Sequence, residues 1–142
     1  MAIIITTLVC VLALVLIIFV SRYRYYDLDS WSGVLSKWAD DNGVSRKRMP
    51  RYDEQSLLKI KELDLSNLEL HSLPEEICNL TNLKKLNLSN NNLKALPKKI
   101  VDLKVELLDL RGNGELSLGA KQKAWAREIK EFFADSLVNL KD

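Results

Sequence analysis

Apolar residues are distributed along this 142-residue chain in two unlike patterns. From Ala2 to Val20, "AIIITTLVCVLALVLIIFV", no charge, glycine or proline interrupts the run. At about 1.5 Å per residue a helix of that length crosses roughly 28 Å of hydrocarbon, so the run predicts a transmembrane helix over residues 1–21. A cleaved secretion signal is the rival reading. It calls for a basic start, a shorter apolar centre and a small-residue cleavage site, and nothing basic precedes Ala2. The second pattern is periodic. Ile60, Leu63, Leu65, Leu70, Leu73, Pro74, Ile77 and Leu80 recur at an offset of 23 as Leu83, Leu86, Leu88, Leu93, Leu96, Pro97, Ile100 and Leu103. A degenerate third copy begins at Val105, with Leu108, Leu110 and Asn113 answering Leu86, Leu88 and Asn91. A period of this size marks one supersecondary unit stacked on the next.

Inside each unit the Leu-x-Leu alternation predicts a short strand whose alternate side chains point inward, and the remainder returns across the other side. That return buries Ile77 and Leu80, or Ile100 and Leu103. Leu73-Pro74 and Leu96-Pro97 favour an extended exit, because the residue before proline avoids the helical region. Written as L-x-x-L-x-L-x-x-N-x-L followed by L-P-x-x-I-x-x-L, residues 57–118 resemble the leucine-rich repeat family, in the variety common in intracellular proteins. The resemblance implies an α/β fold: a short leucine-rich-repeat solenoid of about three coils, with helical caps at both ends, here preceded by the transmembrane helix. It also implies that Asn91, and Asn113 after it, hold the ladder position where an inward amide satisfies backbone groups at the bend. Leu68 departs from that rule, and Asn90 and Asn92 read as exposed turn residues.

Terminal coils expose core leucines unless something covers them. Residues 22–56 are expected to form a juxtamembrane segment and an N-terminal cap. Asp29 or Ser30 caps a helix carrying Trp31, Val34, Leu35, Trp38 and Ala39 on one face, and Gly43 ends it. The two tryptophans pack on the first coil or, alternatively, form an exposed hot spot. Asp53 caps a short turn through Leu57 and Leu58. Residues 119–142 read as one capping helix, with Trp125, Ile129, Phe132 or Phe133, and Leu137 at apolar spacing.

The formal charge of +2 lies wholly after Val20, with acidic and basic residues interspersed, which argues against nucleic acid as a partner. Arg22 and Arg24, among Tyr23, Tyr25 and Tyr26, suit a headgroup layer. They place the N-terminus outside and the soluble domain in the cytoplasm. Arg46, Lys47, Arg48 and Arg51 form the one basic cluster, either a solvated connector or a contact to anionic headgroups. Cys10 and Cys78 fall on opposite sides of Val20, so no disulfide framework is expected. Cys78 answers to Val101 and reads as a small buried hydrophobe. His71 answers to Lys94 and reads as a lone exposed turn residue without metal-ligand spacing around it. Gly112 and Gly114 belong to a turn, and no glycine-rich phosphate loop is present. No catalytic residue, metal ligand or cofactor is expected.

The remaining surface is the concave sheet face. Glu62, Asp64 and Ser66 come from the first strand, Lys85, Asn87 and Ser89 from the second, and Leu107, Asp109 and Arg111 from the third. The resemblance makes the Asp64, Asn87, Asp109 column a polar stripe of the kind that binds peptide or protein in larger members; the alternative is a solvated face. The functional expectation is a membrane-tethered protein–protein interaction module, an adaptor or scaffold with a protein partner. The alternative is a structural accessory subunit of a larger membrane complex, recognised through the span, where Ala2, Thr6, Cys10 and Ala13 share one face of small residues.

Overall fold

The Leu-x-Leu units become strands because alternation gives each of them one apolar and one polar face. A computed structural model of the protein describes residues 11–15, 28–50 and 53–135. In it β1 (Glu62–Asp64), β2 (Lys85–Asn87), β3 (Leu107–Asp109) and β4 (Glu131–Phe133) form a parallel sheet in the order β1-β2-β3-β4. The register follows the repeat, with Leu63, Leu86, Leu108 and Phe132 as successive Cα partners. The three leucines, and Leu65, Leu88 and Leu110 two residues on, are 1% exposed or less.

Opposite the sheet, Pro74 and Pro97 hold extended backbone (ψ 151° and 143°) and open the 3-10 helices Glu75–Asn79 and Lys98–Asp102. Their apolar residues Ile77 and Ile100, with Leu80 and Leu103, are buried as the repeat requires. Helix α1 (Trp31–Asp41) packs on the first of these 3-10 helices, the first on the second, and the second on α3 (Ala120–Arg127). The core lies between this continuous layer and the sheet.

At the bend after each strand the backbone turns away from the ladder, and its polar groups need other partners. Asn91 supplies them. Its Oδ1 accepts from the N–H groups of Leu68 (3.1 Å) and Leu70 (3.0 Å), while its Nδ2 donates to the carbonyls of Leu65 (2.8 Å) and Leu88 (2.9 Å). Asn113 repeats the pattern one coil later, accepting from Leu93 N–H at 3.1 Å and donating to the carbonyls of Leu88 (3.0 Å) and Leu110 (2.9 Å). The neighbouring position has its own demand. Asn67, Asn90 and Gly112 all adopt positive φ (57°, 55° and 71°), which asparagine and glycine accept most readily. Asn90 is therefore more than an exposed turn residue.

The caps form around local signals. Ser30 is the N-cap of α1, accepting from Gly33 N–H at 3.1 Å, and Gly43 ends that helix at φ +67°. Trp31 and Trp38 are half-buried against the core, which decides in favour of packing. Asp53 caps α2 (Glu54–Leu58), accepting from Ser56 N–H at 2.6 Å.

Two expectations are corrected. The first is the transmembrane helix over residues 1–21: among the described residues no helix is long and apolar enough to cross a membrane. Within that run only residues 11–15 are described; they are helical, with Val11, Leu12, Leu14 and Val15 exposed, and a piece this short spans a fraction of a bilayer. The rest of the run lies outside the described residues. The single-pass localisation, with its outside N-terminus and cytoplasmic domain, falls with the helix, and so does the preceding-span part of the fold class.

The second correction concerns the C-terminal helix over residues 119–142. It ends at Arg127, and the chain returns to the sheet as β4. Ile129, Phe132 and Ala134 carry the same L-x-x-L-x-L spacing as the earlier strands. An apolar spacing that suits a helix also suits this strand, and the open edge of β3 decides between them. Leu110 N–H donates to Phe133 C=O (2.7 Å) and Glu131 N–H to Glu106 C=O (3.0 Å), bonds that a continued helix would forgo. Leu137 lies outside the described residues.

Gly112 combines positive φ with a close approach: a Cβ there would sit 2.3 Å from Asn90 Oδ1 and 3.0 Å from Asn90 N and Cα. Gly112→Ala is expected to cost about 2 kcal/mol or more in urea denaturation, whereas Gly114→Ala, with open space around it, should stay within about 0.5 kcal/mol.

Candidate functional site

The outward residues of the four strands form columns because the strands are in register. Glu62, Lys85, Leu107 and Glu131 make one column; Asp64, Asn87, Asp109 and Phe133 make the other. Glu62, Asp64, Lys85 and Arg111 are exposed, and Asn87 and Leu107 are partly so. Ser66, Ser89 and Asp109 are buried, at 6%, 9% and 7% exposure. A partner on this face would meet the first set and hardly touch the second.

The second column is already engaged by its own chain. Asp64 Oδ1 accepts from Ser66 N–H (2.9 Å), Asn87 Oδ1 from Ser89 N–H (3.0 Å), and Asp109 Oδ1 from Arg111 N–H (3.1 Å). One short side chain per coil thus satisfies the N–H two residues on as the strand ends. Asp and Asn recur there because each carries an acceptor at the required reach. Asp109 is bound further by Arg111, whose Nε lies 3.0 Å from Oδ1, and the Arg111 guanidinium stands 5.0 Å from the centre of the Phe133 ring.

The first column is freer. Lys85 Nζ lies 2.8 Å from Glu62 Oε1, and the Glu62 carboxylate raises the lysine above its ordinary value, but both side chains remain more than half exposed. Such a pair adds little to stability and can exchange partners. A concavity of about 400 Å³ lies over these strands, lined by Lys47, Arg48, Glu62, Asp64, Lys85 and Asn87 among others. Arg48, expected in a connector, is bound to the strand edge: its Nη1 donates to the carbonyl of Ser66 at 2.8 Å. Arg46 pairs with Asp40 at 3.5 Å, and Arg51 lies outside the described residues.

Sequence reasoning missed Glu131 and Phe133 on this face. Their signal was the L-x-x-L-x-L spacing of Ile129, Phe132 and Ala134, which a helical reading absorbs. Of the small-residue face expected on the span, Ala2, Thr6 and Cys10 lie outside the described residues, and Ala13 is exposed in the helical residues 11–15.

The described residues hold no group of acidic, histidine or cysteine side chains able to bind a metal. Cys78 is buried, and that burial, reinforced by the Glu75 and Asp102 carboxylates, pushes its thiol up to about 11, so it is protonated at neutral pH. His71 is exposed and lines a polar recess of about 390 Å³ with Asn91, Asn92, Lys94, Gly114 and Glu115.

The leucine rich repeat family model matches residues 59–114, which supports assignment to a leucine-rich repeat family. Such repeats are typically interaction modules rather than enzymes, and they suggest protein partners in general. No curated protein matches the chain.

The carboxylate of Asp109 is held below its ordinary value of 3.8, chiefly by the Arg111 side chain and against the opposing effect of burial. At Asp64 burial is the largest influence and raises the value, yet the Ser66 hydrogen bonds and the Arg48 charge outweigh it and the net direction is down. A depressed folded value favours the folded state above the unfolded pKa. That contribution is complete above 3.8 and is lost as pH falls from there through the folded value. In urea titrations between about pH 5 and pH 3, Asp109→Asn is expected to lose less stability than the unaltered chain, since asparagine serves the same position as Asn87 and carries no proton to gain.

Proposed function

We propose that the chain is a protein–protein interaction module, an adaptor or scaffold that recognises a protein partner on the concave sheet face and performs no catalysis. Residues 57–118 are its recognition unit, and residues 22–56 and 119–142 contain the capping segments. The observation that carries this reading is the division of labour between the two columns. Asp64, Asn87 and Asp109 are tied to the backbone, and that leaves Glu62, Lys85 and Leu107 projecting from a hydrogen-bonded platform with no such duty. Opposite charges beside a partly exposed apolar residue give a partner both steering and a dry contact.

Reversing Asp64 or Asp109 would disturb the strand ends, so Lys85 is the better probe. Lys85→Glu in the full chain is expected to lower partner capture from cell extract at least about fivefold, with the unfolding midpoint unchanged. Lys121→Glu, on the exposed side of α3, should capture as the unaltered chain does. Equal capture by all three proteins would overturn the assignment of the concave face.

A further inference from the structure

The two edges of the sheet end differently. Outward backbone groups on β1 meet the Arg48 guanidinium, which donates to Ser66 C=O at 2.8 Å and reaches Asp64 C=O at 3.5 Å. A donor side chain placed there blocks pairing with another strand. Among the described residues, nothing equivalent stands at β4.

Residues 131 and 133 of β4 face β3, as the bonds from Glu131 N–H to Glu106 C=O and from Leu110 N–H to Phe133 C=O establish. Strand residues alternate in direction, so residues 130, 132 and 134 turn their backbone groups away from the sheet. Along that edge the outward groups are Lys130 C=O, Phe132 N–H, Phe132 C=O and Ala134 N–H; among the described residues β4 is the last strand of the sheet and these groups have no hydrogen-bond partner.

We propose that this edge pairs with the same edge of a second copy of the chain, antiparallel and about a two-fold axis at Phe132. The order of groups is self-complementary under that rotation. Each Phe132 exchanges both its bonds with the other Phe132, and each Ala134 N–H meets Lys130 C=O of the second copy, giving four N–H···O bonds in all. Side chains fit the same register. Glu131 comes opposite Phe133 of the second copy, whose ring carries the Arg111 guanidinium, so each carboxylate meets an opposite charge instead of another Glu131. Lys130 comes opposite Ala134, which keeps the lysines apart. The edge of β1 cannot pair in this way, since Arg48 occupies its carbonyls. Two four-stranded sheets then become one continuous sheet that presents two concave faces.

The test is sedimentation equilibrium of the full chain over a concentration series. The unaltered chain is expected to show a monomer–dimer equilibrium. Ala134→Pro removes the outward N–H without touching a bond to β3, and it should weaken dimerisation at least about tenfold, because two hydrogen bonds are lost per dimer. Glu131→Lys, an exposed change that leaves the backbone intact, should also weaken it, and it carries the test if Ala134→Pro does not fold. A monomer at every concentration, or association that both variants leave unchanged, would overturn the proposal.

Discussion

The amide of Asn91 binds two coils into one unit. Four backbone groups from two successive bends converge on it, in a place that is only 4% exposed. A buried backbone group without a partner costs about 1–3 kcal/mol, so a side chain without an amide at position 91 would leave these four groups at that cost. Asn113 performs the same service for the next pair of coils. The spacing between strands, and therefore the register of every column on the sheet face, rests on these two side chains together with the leucines packed beneath them.

Stacking leaves two ends, and they are closed by different chemistry. At the N-terminal end α1 covers the core while Arg48 occupies the strand edge. At the C-terminal end α3 is bound to the second coil by Gln122, whose Nε2 donates to the carbonyls of Leu96 and Pro97, and by Trp125 Nε1, which donates to Leu103 C=O at 2.9 Å. These bonds hold α3 to carbonyls on both sides of the second 3-10 helix. The sheet edge beyond them is left to β4, whose outward groups make that end adhesive where the first end is blocked.

The repeat was legible because leucines and prolines at one offset can serve only a stacked unit, and Asn91 was legible from its place in that pattern. The caps were legible from Ser30, Gly43 and Asp53, where one side chain or one backbone angle decides the outcome. β4 was hidden because Ile129, Phe132 and Ala134 suit two periodicities, and only the unfilled edge of β3 selects between them. The Asp64, Asn87, Asp109 column was read as a binding stripe because the residue types are polar; their acceptors turn out to be used by the next backbone N–H. The span expected from residues 1–21 rested on the length of one apolar run and its Arg and Tyr flank, and among the described residues no helix is long and apolar enough to cross a membrane.

The most direct test of this account is urea denaturation of the Asn91→Leu chain. Leucine is what the first coil carries at Leu68 and removes all four hydrogen bonds, but it is bulkier than asparagine, so the Asn91→Ala chain, which removes the same bonds without added volume, is measured beside it and is expected to behave alike. A loss of at least about 3 kcal/mol is expected, a large part of the roughly 5–15 kcal/mol that holds a domain of this size together. A loss below about 0.5 kcal/mol would contradict the account and assign the register of the sheet to the leucines alone.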